Sequence, residues 1–350
     1  MVSAFVDDLV LATNDVKMRE EFVNQLRQRF PVHEDAPAHW LLGIKIERTS
    51  KQIKLSQKDS IEKLAQTCKL DGPENFHDSP MLPERLPWRE EADPLVNPET
   101  CINGMSFRSV VGSVLYLALC TRPDIATAVG VLARHCARPG KQHVDALKRL
   151  VGYLNHTSGL GIIYHRQRKG AAPPTVIEAA SPVDEPLTSF SDADYAMSHN
   201  RKSTSGYVVM LNGGPVTWSS KLQKITAQST AESECIAATE CVKEVNHLRL
   251  LLSELGYENL VKGPTEVFED NSSCAAFANS LKNRKSAKHY EIRVRWLAEQ
   301  VAQGTVRFVL VRSAKQVADI LTKPLPTLQF MKLRDQLMGY APLEVRQDEN

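Results

Sequence analysis

The sequence predicts a mixed α/β (α+β) fold, and three observations carry that reading. From Leu187 onward, three short runs of strand-forming residues are separated by turn signals such as Asn212-Gly213-Gly214, which reads as an antiparallel meander. A long segment near Thr230–Leu255 follows, with apolar residues stepping by three and four, which reads as a helix. Two further strand-like runs, 265–270 and 306–311, then alternate with helical segments. The order is three strands, helix, strand, helix, helix, strand, helix.

The 350 residues leave room for two or three domains. A hydrophobic content of 42% and a charged content of 24% are those of an ordinary folded protein. The formal net charge of +2 excludes a global polycation, so nucleic-acid contact would have to come from local patches. Seven cysteines without a C-x-x-C pair argue for a reduced intracellular setting, against a zinc module and against a disulfide framework. No secretory signal and no membrane-spanning apolar run are visible.

Residues 1–12 read as two short strands around Asp7-Asp8, where a tight turn would favour acids on its own account. Thr13-Asn14-Asp15 supplies capping chemistry for a helix reaching about Phe30. Residues 40–48 and 51–55 look like a hairpin, and a helix runs from about Gln57 to Cys68. Six prolines between residues 71 and 104 predict a surface connection. Helices follow at Ser106–Cys120, Asp124–Ala137 and Gln142–His156 and suggest a small bundle. His135, His143 and His156 share no metal-ligand spacing and read as surface or packing residues. The stretch 166–186, with its prolines, is the predicted domain boundary.

The C-terminal part places acids at the ends of elements. The strand 187–195 carries Asp192 inward, with Asp194 two residues on and on the same face. Ser229 and Glu232 fit a capping box. The stripe Ala238, Cys241, Val245, Leu248, Leu252, Leu255 extends back to Glu234 and not to Glu232 or Glu240. The alternative for Glu234 is a half-exposed first-turn acid favoured by the helix dipole. Asp270 ends the strand 265–270, where it could also serve as an N-cap, and Asn271 starts a helix to about Ser280. A last helix, 314–323, bears Asp319, which could be a solvated acid. Buried acids are costly alone, and several together make sense around divalent cations. That points to a magnesium-dependent site for cleaving phosphodiesters. Lys282, Arg284, Lys285, Lys288, Arg293 and Arg295, with Arg201 and Lys202, are the candidate phosphate contacts. The alternative for the first group is a solvated basic helix start.

Several motifs match text of one family. They are Phe5-Val6-Asp7-Asp8, Leu42-Gly43-Ile44, Thr121-Arg122-Pro123-Asp124-Ile125, Ser191-Asp192-Ala193-Asp194 and Arg201-Lys202-Ser203-Thr204-Ser205-Gly206-Tyr207. Trp218-Ser219-Ser220-Lys221, Ala231-Glu232-Ser233-Glu234, Asp270-Asn271 and Ala318-Asp319-Ile320-Leu321-Thr322-Lys323-Pro324 complete the set. Over nearly the whole chain the sequence resembles the C-terminal part of a Ty/copia-type LTR retrotransposon Pol polyprotein. The resemblance implies a truncated reverse-transcriptase palm (1–78) and a Pro-rich connection with a helical thumb or connection region (79–165). A linker (166–186), a type-1 ribonuclease H domain (187–325) and a C-terminal tail (326–350) follow. It implies an RNase H-like mixed five-stranded sheet with flanking helices.

By the same resemblance, Asp7 and Asp8 correspond to two of three metal-binding aspartates of the polymerase, with Phe5 in place of the usual Tyr. The third belongs to an earlier strand of the family domain, before Met1, so the chain alone is not expected to polymerise. Asp192, Glu234, Asp270 and Asp319 correspond to the nuclease's metal ligands, for two Mg2+ or Mn2+ ions. The expected roles are a shared core for Asp192 and Asp270, the leaving-group side for Glu234 and the water side for Asp319. Ser205 and Asn271 are candidates for contacts to RNA 2′-hydroxyls. No histidine precedes the last helix at 311–316, whereas His289 matches the family's Lys-His motif. It is a candidate for proton transfer or product release, or a structural residue at a helix start. The implied activity is hydrolysis of the RNA strand of RNA–DNA hybrids. The alternative is a catalytically inactive, nucleic-acid-binding remnant. The implied partners are the hybrid and a full-length reverse transcriptase or other retrotransposon proteins, with no membrane. The implied setting is cytoplasmic, in a virus-like particle, with the nucleus as a second compartment.

Overall fold

The computed structural model describes residues 1–6, 8–13, 15–32, 37–83, 96–166, 187–198, 200–280 and 291–344. The N-terminal hairpin pairs β1 (Val2–Phe5) with β2 (Asp8–Leu11), Phe5 opposite Asp8. Helix α1 (Val16–Arg27) starts where Asp15 Oδ1 accepts hydrogen bonds from the amides of Lys17 at 2.9 Å and Met18 at 3.2 Å. Only Val23 of this helix is buried.

The strand expected over 40–48 breaks into β3 (Trp40–Leu41) and β4 (Ile44–Arg48). Leu42 and Gly43 between them have φ of 51° and 73°, a two-residue turn of the hairpin type. β5 (Gln52–Ser56) pairs with β4, and α2 (Lys58–Thr67) follows. The proline-rich connection is not wholly at the surface: Met81 and Ile102 are buried. Residues 84–95 lie outside the described ones. Helices α3 (Phe107–Cys120), α4 (Ala126–Ala133) and α5 (Lys141–His156) form the expected bundle. Inside it Arg122 and Asp124 make a fully buried ion pair, 2.8 Å between Nη2 and Oδ2.

A strand that the sequence did not suggest comes next. β6 (Ile162–His165) pairs antiparallel with β5, Leu55 opposite Ile162, and completes a sheet in the order β3-β4-β5-β6. Its backbone also reaches the C-terminal part, because the amide of Ile163 donates to Met338 O at 3.0 Å and that of His165 to Asn212 O at 2.9 Å.

The second sheet has the order β11-β10-β7-β8-β9. It is built from β7 (Leu187–Ala193), β8 (Thr204–Leu211), β9 (Gly214–Leu222), β10 (Thr265–Glu269) and β11 (Val306–Leu310). The first three are antiparallel neighbours, while β10 runs parallel to β7 and β11 parallel to β10. Every residue of β7 is buried, as befits a central strand covered on both faces. On one face Val209 and Val267 pack with α6 (Thr230–Glu254), α7 (Ser272–Ala278) and α8 (Glu291–Ala302). On the other, Phe190, Met210 and Phe268 join the core of the helical bundle.

The segment expected as a last helix, 314–323, is instead two short 3-10 turns, Ser313–Lys315 and Val317–Leu321. Pro324 bars a helix from continuing, and the turn lies directly on β8. A Cβ at Gly206 would come within 2.6 Å of Thr322 Cγ2 and 2.9 Å of Leu321 Cβ, so only glycine admits this approach. The stretch expected as a tail holds α9 (Thr327–Leu337), with Phe330, Leu333 and Leu337 buried in the core shared with the bundle. Among the described residues no helix is long and apolar enough to cross a membrane.

Candidate metal centre

Acids converge where β7 and β10 end. These two parallel strands share pairs up to Phe190 and Phe268, then carry Asp192 and Asp270 onward. The crevice at the C-terminal ends of parallel strands is where such sheets bind ligands. Helix α6 brings in Glu234 from its second turn. Ser229 Oγ caps that helix by accepting from the Glu232 amide at 3.2 Å, and Glu232 Oε2 accepts from the Gln228 amide at 2.7 Å. Glu232 is therefore buried despite lying off the apolar stripe, and the stripe's far end, Leu255, is exposed.

Asp192, Glu234 and Asp270 each offer a carboxylate oxygen, and the three oxygens lie within 4.8 Å of one another. Asp319 stands beside this triangle. Its Oδ1 is 2.8 Å from Lys323 Nζ, which lies 3.9 Å from Asp192 Oδ2. The Thr322 hydroxyl donates to Asp192 Oδ2. Asp194, the competitor for the first position, is not part of the triangle. It accepts from the Thr204 amide and so closes the link between β7 and β8. Burial raises its pKa to about 6 against those hydrogen bonds.

The sequence reading missed Glu269. It is fully buried, its Oε2 accepting from Ser191 Oγ at 2.9 Å and its Oε1 from the Asn271 amide at 3.1 Å. Strand alternation was the available signal, since Glu269 shares a face with the buried Val267.

The electrostatics are those of crowded acids. Burial, then the charges of Glu269, Asp192 and Asp270, push Glu234 up to about 11. Burial and Asp192 push Asp319 up to about 8. Burial raises Asp192 and Glu269 as well, against the pull of Lys323 and Thr322 on Asp192 and of the Asn271 amide on Glu269. Lys323 rises to about 12 because Asp192 and Asp319 outweigh the cost of its burial. Glu234 Oε2 is buried without any hydrogen-bond partner. A buried polar atom left unpaired is rare and costly, and hard oxygen donors suit Mg2+ or Mn2+. The residues present therefore fit a divalent cation.

The other predicted residues divide. Asp8 is exposed on its hairpin, and Asp7 lies outside the described residues, as do Lys282, Arg284, Lys285, Lys288 and His289. Among the described residues the triangle is the only group of three or more potential metal ligands, so Asp8 belongs to none. Arg201 is exposed in the turn between β7 and β8, with φ of 58°, and Lys202 Nζ donates to Lys224 O at 2.9 Å. Ser205 is buried and its hydroxyl accepts from Gln223 Nε2 at 2.9 Å. Asn271, not Asp270, caps α7, accepting from the amides of Ser273 and Cys274 at 3.0 Å. Arg293 is partly exposed on α8, and Arg295 pairs with Glu299 at 3.3 Å.

Strand order, crossing helices and an acid cluster at the ends of β7 and β10 together define an RNase H-like mixed α/β unit. A family profile described as reverse transcriptase (RNA-dependent DNA polymerase) matches residues 1–83. The Retrovirus-related Pol polyprotein from transposon TNT 1-94 of Nicotiana tabacum is 32% identical over 338 residues, 96% of this chain and 24% of that protein. The Transposon Ty1-BR Gag-Pol polyprotein of Saccharomyces cerevisiae is 24% identical over 348 residues, 96% of this chain and 19% of that protein. LC11-RNase H1, isolated from compost, is similar in structure at 17% identity with a TM-score of 0.31, over 40% of this chain and 94% of that one. The chain belongs to the Ty/copia-type retrotransposon Pol polyproteins. It spans 24% or less of the length of the two relatives compared.

Proposed function

We propose that this chain hydrolyses the RNA strand of RNA–DNA hybrids with Mg2+ or Mn2+ held by Asp192, Glu234 and Asp270. The observation that carries this reading is the buried, unpartnered oxygen of Glu234 in a triangle of carboxylates. A divalent ion bound there would supply charge stabilisation to the phosphodiester and lower the pKa of a water. Asp192 is the shared ligand, since it faces Glu234 and Asp270 on one side and Asp319 through Lys323 on the other. Lys323 Nζ lies between Asp192 and Asp319, so a second cation held by that pair would displace it. The Thr322 hydroxyl fixes Asp192 Oδ2. Exposed Arg201, in the turn that follows β7, is placed to meet a phosphate. The side-chain amide of Asn271, whose oxygen is used in capping, is the candidate for a 2′-hydroxyl. The nuclease occupies 187–325 in this reading.

The test is cleavage of an end-labelled RNA–DNA hybrid with Mg2+ or Mn2+, by wild type and by Asp192→Asn. Wild type is expected to cut the RNA strand. Asp192→Asn should lose on the order of 10²–10³-fold or more, as for removal of one preorganised electrostatic group. Folded wild type that binds the hybrid and cuts it with neither ion would instead match the inactive remnant.

A further inference from the structure

We propose that Gln316 is a positioning residue of the acid cluster, its one carboxamide fixing the three backbone segments that carry Asp192, Asp270 and Asp319. This rests on the reading above that the cluster holds a divalent cation. Gln316 is fully buried. Its Nε2 donates to Ser191 O at 2.9 Å and to Phe268 O at 3.3 Å. Its Oε1 accepts from the Ala318 amide at 3.2 Å and caps the turn Val317–Leu321. Ser191 precedes Asp192, Phe268 stands two residues before Asp270, and Ala318 precedes Asp319.

The need for this side chain follows from the sheet. β7 and β10 last pair at Phe190 and Phe268, and beyond that point the ladder between them stops. A metal site opens only if the strands part there, yet parting leaves main-chain carbonyls buried without donors. A carboxamide answers both demands, with two N–H donors for the carbonyls and one oxygen for the amide of the turn. Glutamate lacks the donors, and an apolar side chain lacks both. The acids' spacing is therefore set by a residue that never touches the cation, and such outer groups tune metal affinity by about 10–100-fold.

The test compares wild type, Gln316→Met and Gln316→Glu in two measurements. The first is Mn2+ binding without nucleic acid, followed by the EPR signal of free Mn2+. The second is kcat and KM for hybrid cleavage, with circular dichroism establishing that each variant is folded. Gln316→Met should bind Mn2+ about 10–100-fold more weakly. Its kcat should fall in step, with KM for the hybrid within about twofold, since phosphate contacts are untouched. Gln316→Glu keeps the acceptor for Ala318 and serves as the folded comparison if Gln316→Met does not fold. A folded variant of either kind that matches wild type within about twofold in Mn2+ affinity and kcat overturns the proposal. Wild type that binds Mn2+ but cuts no hybrid removes the proposed activity and leaves Gln316 to be judged on Mn2+ affinity. Wild type that binds no Mn2+ removes both.

Discussion

At Arg122 the chain buries a cation together with its counter-charge; at Asp192, Glu234 and Asp270 it buries acids and leaves an oxygen of one unpaired. In the first group, Arg122 grips Asp124 through two hydrogen bonds of 2.9 and 2.8 Å and reaches Thr157 O at 3.1 Å, while the Tyr153 hydroxyl donates to Asp124 at 2.5 Å. Burial would raise Asp124, but Arg122 overrides it and holds the carboxyl below its ordinary value. In the second, burial and mutual repulsion win, and Lys323 is the cation that answers them. One group is complete within the chain. The other leaves Glu234 Oε2 open, and in the proposed reading a divalent ion completes it.

The comparison can be broken most forcefully at Asp124. Asp124→Ala strands a buried guanidinium and should cost about 3–5 kcal/mol in chemical denaturation, whereas replacing both partners by apolar residues should restore much of it. An unchanged denaturation midpoint in Asp124→Ala would dissolve the contrast. A smaller effect is expected from Mg2+. At about 100 times its dissociation constant it should add about 2.7 kcal/mol to wild type, reversibly with EDTA, and much less to Glu234→Gln. Equal gains in both proteins would place the ion elsewhere.

A further effect is expected on pH dependence without divalent ions. Asp319 and Glu234 bind protons more tightly when folded, at about 8 and about 11, than the ordinary 3.8 and 4.5. The folded state therefore holds the extra protons, and their contribution is full below about pH 4 and fades as pH rises. Asp124, with its lowered value, contributes above its ordinary 3.8 and does not change between pH 6 and 8. Metal-free protein should lose stability over that range, and saturating Mg2+ should flatten the loss. A metal-free midpoint that rises from pH 6 to 8 would reverse the assignment.

Much of this was legible in the sequence because each acid of the triangle sits at a position that pattern defines. Asp192 ends a strand, Asp270 follows one, and Glu234 falls on an apolar stripe read backwards. What escaped depends on tertiary geometry. Glu232 lies off the apolar stripe, yet its capping side chain turns back to the Gln228 amide and is buried. Gln316 acquires meaning only where two strands part, which no spacing reveals. The turns at 313–321 have helical composition, but contact with Gly206 and the stop at Pro324 hold them tighter. β6 has four residues and pairs with a strand about a hundred positions earlier, too short a run to announce itself. The family's motifs end at Pro324, although Phe330, Leu333 and Leu337 beyond it are helically spaced and buried.

β6 has a practical corollary for anyone dissecting the molecule. Tyr164 donates to Pro215 O at 2.6 Å, Ile163 and His165 donate to Met338 and Asn212, and the Trp218 indole donates to Ala118 O at 2.8 Å. An expression boundary drawn at Leu187 would sever all four bonds and uncover the apolar flank of the sheet beneath them. The isolated C-terminal half would then be frailer and more prone to clump than the same residues in their native setting.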